Sequence, residues 1–196
     1  MKVINKIDAA TIIEAISSGK TVVMPFDTVY GLMANPFDDL AMEKIYQIKG
    51  RDFNKPIALI FSSIHMLKKF IPLISTETER YIAEKVPGGY TFILPWSKKD
   101  RRKFSLHYQK LDKIGFRIPD NKLLLDLISQ HGKPIAATSA NISGKENCWS
   151  ADEFINQIKN QKEKPDYIFD GGELIASQPS KVIDISSTSD IKILRN

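Results

Sequence analysis

Cysteine is almost missing from this chain of 196 residues: Cys148 stands alone and cannot close an internal disulfide. A reducing cytosol, and so a cytoplasmic protein, is the expectation. No His or basic cluster flanks Cys148 to activate it, and it reads as a passive thiol. Histidine is scarce too. His65, His107 and His131 sit in unrelated polar stretches, and no Cys/His spacing suits a metal, so no metal site is expected. No apolar run approaches the roughly eighteen residues of a membrane-spanning helix, and Met1–Lys6 lacks the apolar core of a secretory signal. Neither a GxxxxGKS/T phosphate loop nor a GxGxxG fingerprint is present. With no Ser-His-Asp or Cys-His arrangement either, the chain points away from covalent catalysis and towards positioning and charge stabilisation.

What is there suits a globular protein. A chain of this length can bury a sizeable core, and 42% hydrophobic with 26% charged residues is an ordinary balance. Lys plus Arg number 28 against 23 Asp plus Glu, a net charge of +5 that favours polyanionic partners. The charge is densest at Lys98-Lys99-Asp100-Arg101-Arg102-Lys103, a basic loop flanked by Trp96, Phe104 and Tyr108. Cations interleaved with aromatics can hold RNA by phosphate contact and base stacking; the plainer reading is a solvated loop.

Period and caps give a coarse map. Asp8 begins a helix that carries Ile12, Ile13 and Ile16 on one side and ends at Gly19. Thr21–Met24 reads as a buried strand stopping at Pro25. A second helix starts near Asp39, turns Ala41, Ile45 and Ile48 inward and reaches Gly50. Pro56–Phe61 is uniformly apolar, as a central strand should be. Ser62 and Ser75 each cap a helix, the second running to about Val86. Tyr90–Leu94, Lys113–Ile118 and Pro134–Thr138 are further strands, with a helix carrying Leu124, Leu127 and Ile128 before the last of them. Ser150 to Glu153 fits a capping box, and 167–169, 182–185 and 191–194 are short strands. Strands and helices intermingle without strict alternation. The expectation is an α/β fold of mixed, α+β-like character: one twisted, open, mixed sheet covered by helices.

Five segments carry groups suited to a nucleotide or to a ligand carboxylate. Lys49-Gly50-Arg51 ends the second helix, with Lys55 close behind, and three cations before a buried strand suit phosphate. They could instead only complement the helix dipole. Thr138-Ser139-Ala140-Asn141-Ile142-Ser143-Gly144 is a strand exit rich in small hydrogen-bonding groups, suited to phosphate or to a plain turn. Pro179-Ser180-Lys181-Val182 is a weaker example of the same kind. In Pro25–Leu32, Thr28 offers a hydroxyl and Gly31 allows close approach, while Asp27 could simply be a local backbone acceptor. Arg117 lies inside the apolar strand Gly115-Phe116-Arg117-Ile118-Pro119. It must find either a ligand carboxylate or an internal Asp or Glu.

Taken together, PFDTVYGL, KGR with NKPIALIF, PGGYTFILP, GFRIP, ATSANISG, PSKVID and the terminal ILR resemble, in family order from Met24 to Arg195, the YrdC/Sua5/YciO family of threonylcarbamoyl-AMP synthases. The resemblance implies a single YrdC-like domain over residues 1–196 without the C-terminal Sua5 domain, three layers, and a deep positively charged cleft. It implies synthesis of L-threonylcarbamoyladenylate and pyrophosphate from L-threonine, bicarbonate and ATP. That product serves t6A modification of tRNA adenosine 37, and partner proteins of that pathway would carry it onward. ATP is a substrate, Mg²⁺ would be held mainly by its phosphates, and no organic cofactor is implied. Lys49, Arg51, Ser139 and Asn141 match the family's catalytic and phosphate-binding pairs. Thr28, Arg117, Thr138 and Ser180 match or flank its threonine site, and Lys55, Asn147 and Arg195 would join the ATP site. Phe26 and Lys181 depart from the usual threonines, and PGGYT with the basic stretch looks like the YciO branch. A YciO-like protein, or a double-stranded RNA or tRNA-binding module without synthase activity, is the alternative.

Overall fold

Local signals place most helices. Asp8 caps α1 (Ala9–Ser17) by accepting the Thr11 N–H, and Gly19 turns the chain away at φ 75°. Asp38 caps α2 (Asp39–Lys49), and Gly50 closes it in the left-handed region. Ser63, not Ser62, caps α3 (Ile64–Phe70); the Ser62 hydroxyl turns to the Met66 sulfur. Ser75 caps α4 (Thr76–Ala83), which stops short of Val86. Two short helices, α5 (Lys98–Arg101) and α6 (Leu106–Gln109), follow. Asn121 and Gly132 bound α7 (Lys122–His131), and the expected capping box of Ser150 and Glu153 opens α8 (Ala151–Gln157).

This computed structural model describes residues 1–5, 8–72, 74–187 and 191–195. Among them, ten strands form one sheet: β1 (Lys2–Ile4), β2 (Val22–Pro25), β3 (Tyr30–Ala34), β4 (Ala58–Ile60), β5 (Tyr90–Pro95), β6 (Lys113–Arg117), β7 (Ile135–Ser139), β8 (Tyr167–Phe169), β9 (Lys181–Asp184) and β10 (Lys192–Arg195). Their spatial order is β1-β8-β2-β3-β7-β4-β6-β5-β9-β10. Four adjacent pairs run parallel and five antiparallel, the mixed sheet that irregular alternation foretells. Sequence reading misses β1 and β3. The stretch Tyr30–Ala34 hides behind the polar turn before it: Phe26 N–H bonds Val29 O at 3.2 Å, closing a hairpin that returns β3 along β2. All five β3 residues are buried.

The basic stretch is not an RNA-stacking platform. Trp96, Phe104 and Tyr108 belong to the core, none more than 7% exposed, and they pack edge-on or tilted against one another. Apolar area burial outweighs any value these rings would have as stacking surfaces. Arg101 is buried as well, bonded to Asp112 and the Leu111 carbonyl. Lys98, Lys99, Arg102 and Lys103 remain exposed.

Candidate active site

Successive side chains on a strand point to opposite faces, so residues two apart share one face. On β6 that rule puts Lys113, Gly115 and Arg117 together, and all three line a hollow of about 510 Å³. The same face of the neighbouring strands contributes Ala137 and Ser139, Ala58 and Ile60, Thr91 and Ile93, and Val182 and Asp184. The opposite phase of β6, Ile114 and Phe116, is fully buried. The hollow is therefore the uncovered face of half the sheet. Ala58, Gly115 and Ala137 leave room above the sheet because their side chains are small.

The helix C-terminus sends its two cations different ways. Gly50 reverses the chain, and Arg51 reaches the rim of the hollow, where Nε bonds Lys55 O at 3.2 Å and Nη2 bonds Pro56 O at 3.0 Å. Lys49 turns inward and is 1% exposed. Its ammonium donates to Ser139 O at 2.5 Å, Asn141 O at 2.8 Å and Asn141 Oδ1 at 2.8 Å, which uses all three N–H groups. Burial pushes its pKa down to about 7, with the Arg51 charge adding to the fall. Asn141 is held just as completely: Oδ1 also accepts from Ser139 Oγ at 2.7 Å, and Nδ2 donates to Lys145 O at 2.7 Å. Lys49 and Asn141 thus form a strut behind the wall, and Ser139 is the member of that cluster on the hollow.

At the other end, Arg117 has found an internal partner. Its Nη2 lies 2.8 Å from both Asp27 oxygens, Nη1 donates to Thr28 Oγ1 at 3.2 Å, and Nε to Gly88 O at 3.4 Å. Both side chains of the ion pair are over nine-tenths buried. Of the two partners open to Arg117 in the sequence, the internal carboxylate is realised, and Asp27 is more than a local turn acceptor. Opposite them, Ser180 Oγ is 2.9 Å from Thr91 Oγ1, and Arg195 of β10 donates to Ser180 O and Oγ. Phe26 lies against the backbone of Gly31, where an added Cβ would sit 2.4 Å from the ring. Glycine at 31 is what admits this aromatic wall.

Of the residues singled out in the sequence, Thr28, Arg51, Arg117, Thr138, Ser139, Asn147, Ser180 and Arg195 line the one hollow. Lys49 and Asn141 stand behind it, and Lys55 is exposed, off the lining, with its carbonyl accepting from Tyr46 Oη and Arg51 Nε. Lys113 and Asp184 also line it and are missed, although the period-two rule read backward from Arg117 would have found Lys113. No trio of His, Cys, Asp or Glu among the described residues could hold a metal.

Comparison with known proteins fits this arrangement. A family model described as "Telomere recombination", for the Sua5, YciO and YrdC proteins, matches residues 14–196. The chain belongs to the YrdC/Sua5 family. It is 36% identical over 171 residues to a threonylcarbamoyl-AMP synthase of Pyrococcus abyssi, covering 87% of this chain and 48% of that protein. The chain thus spans about half the length of that relative. The crystal structure of P. abyssi Sua5 complexed with L-threonine superposes with a TM-score of 0.83 at 34% identity, covering 100% of this chain and 57% of that one. The structure of Escherichia coli YciO gives a TM-score of 0.80 at 26% identity, covering 99% and 92% of the two chains. No helix among the described residues is long and apolar enough to cross a membrane.

Proposed function

We propose that this protein makes L-threonylcarbamoyladenylate and pyrophosphate from L-threonine, bicarbonate and ATP, for t6A modification of tRNA. The observation that carries the reading is the convergence of Arg51, Ser139, Thr28, Ser180 and Arg195 on one hollow, in a chain related to proteins so named. Arg51 binds phosphate oxygens, and the Ser139 hydroxyl joins it by turning its single proton from Asn141 Oδ1 to the ligand, with Lys49 and Asn141 fixing the backbone that presents Ser139. Thr28 and Ser180 bind threonine at the far end. The Arg117 guanidinium orients Thr28 through the Asp27 ion pair and lends positive charge to the amino acid's carboxylate. Arg195, held on Ser180, places its charge where nucleotide and threonine meet, and the lining is basic on balance, with Arg51, Lys113, Arg117 and Arg195 against Asp184.

The amine of threonine adds to bicarbonate carbon, and loss of water leaves a carbamate. A carbamate oxygen then forms a bond to the α-phosphorus while the bond to pyrophosphate breaks. Such a displacement depends on alignment and charge neutralisation more than on a dedicated base. Mg²⁺ fits the site as a passenger on ATP oxygens and water, since Asp184 is the one carboxylate on the lining.

The test is pyrophosphate release, expected only with threonine, bicarbonate and ATP together. Arg51→Ala should lower that rate by roughly 100-fold or more, because it removes a charge aimed at the developing anion. Release independent of threonine would refute the assignment. The near-complete coverage of YciO supports a second reading, a YciO-like activity on another adenylate or on an existing threonylcarbamoyl group. Cooperative thermal stabilisation by ATP and threonine favours the synthase; stabilisation by ATP alone favours the other.

A further inference from the structure

The reading above leaves one built feature of the hollow without a task. Lys113 Nζ bonds Asp184 Oδ2 at 2.9 Å, and the pair sits on the lining. Asp184 is fixed from behind, because Oδ1 accepts both the backbone N–H of Ser186 at 2.9 Å and its hydroxyl at 2.5 Å. The Lys113 ammonium directs one N–H to this carboxylate and keeps two for a ligand. A fixed acceptor thus stands beside a donor with spare capacity, facing a cavity.

The sheet register says how far this pair lies from the phosphate end. Ala137 pairs with Ala58, Leu59 with Phe116, Ile93 with Gly115, and Ile93 with Asp184. Ala137, Ala58, Gly115, Ile93 and Asp184 therefore form one row across five strands. At the usual strand spacing of about 4.8 Å the row is roughly 19 Å long. Ser139 and Arg51 stand near its first end and Asp184 at its last; Lys113 springs from β6 in the middle of the row, and its ammonium reaches Asp184. Between them the floor is Ala, Ala and Gly, with Ile93 following. Nothing there projects beyond a Cβ until Ile93, so the floor is flat and apolar. A flat apolar trench with anion-binding groups at one end and a donor–acceptor pair at the other is complementary to an extended nucleotide.

We propose that Lys113 and Asp184 read the edge of the nucleotide's base, Asp184 accepting from the exocyclic amine of adenine while Lys113 donates to N7, an acceptor in adenine and hypoxanthine alike, with the ring lying on Gly115. This deepens the proposed function and rests on its placement of phosphate at Arg51 and Ser139. Hypoxanthine carries an oxygen where adenine carries the amine. Placed in the same pose, it would set that oxygen against the Asp184 carboxylate and leave both acceptors without a donor between them.

The experiment is calorimetric binding of ATP, inosine triphosphate and 2′-deoxy-ATP to the full chain, alone and with Asp184→Asn or Lys113→Met. The wild-type protein should bind ATP roughly 10-fold more tightly than inosine triphosphate, as expected for one lost pairing to a charged acceptor. Asp184→Asn, whose amide can donate to the oxygen, should bring that ratio close to one, and Lys113→Met should weaken both nucleotides alike. L-Threonine affinity, read at the other end of the hollow, should hold in both variants and reports that they fold. A ratio that survives Asp184→Asn overturns the base assignment and leaves the ATP reading standing. A change confined to the ATP to 2′-deoxy-ATP ratio also overturns it, by moving the pair to the ribose. Failure of the wild-type protein to bind any of the three nucleotides removes the functional reading along with this inference.

Discussion

Replacing Lys49 by methionine keeps the length of the side chain and deletes its charge, which makes it a direct probe of the strut behind Ser139. In the folded protein the Lys49 pKa falls from 10.5 to about 7, because burial disfavours the ammonium and Arg51 repels it. The folded value lies below the unfolded one, so between them the unfolded chain binds more protons. Stability contributed by this group then rises with pH from about 7 towards 10.5, and is lost as pH falls back through 7. Each unit of pH within that window is worth about 1.4 kcal/mol. From pH 6 to pH 9, the wild-type protein should gain about 2–3 kcal/mol relative to Lys49→Met. Urea unfolding of both proteins at pH 6, 7, 8 and 9 measures this. Other titrating groups cancel in the difference, and the loss of three hydrogen bonds enters as an offset independent of pH. Parallel curves for the two proteins over that range would refute the reasoning and mean that the buried amine does not titrate.

Other predictions concern the floor, the ion pair and the loop. A Cβ at Gly115 would meet Ala58 and Thr91 at 3.7 Å, ordinary contact, so Gly115→Ala should fold normally. Gly115→Leu should also fold but fill the trench, abolishing the thermal stabilisation given by ATP. Arg117→Ala leaves Asp27 charged and buried, and should cost about 3–5 kcal/mol in urea unfolding. Adding Asp27→Asn to it should recover part of that loss, and an additive double variant would contradict the pairing. Asn141→Ala removes one of the three acceptors of the Lys49 ammonium and the donor to the Lys145 carbonyl, and should cost about 1–3 kcal/mol in the same assay. A wild-type midpoint for that variant would mean the loop is held some other way.

The helices were legible because their signals are local. Asp8, Ser75 and Ser150 cap within three residues of themselves, and Gly50 and Gly132 stop helices by their own backbone freedom. The apolar runs of β4 and β7 were equally plain. Tyr30–Ala34 was not, because its strand character comes from pairing with β2 and β7 and not from alternation. The aromatics around the basic stretch misled for a related reason: a ring reads alike in a sequence whether it faces solvent or core. Only packing separates the two, and burying Trp96, Phe104 and Tyr108 was the more favourable choice.

The site divides along the same line. Residue types and their order were enough to single out KGR, SAN and GFRIP, and residues of all three line the one hollow. Which atoms face the hollow was settled by contacts between residues about ninety positions apart, Lys49 with Asn141 and Arg117 with Asp27. Lys49 and Arg51 look equivalent as letters, yet a left-handed glycine between them sends one ammonium into the interior and the other cation to the rim. A buried charge must be matched by whatever acceptors the fold brings to it, and that matching exists only once the sheet has closed.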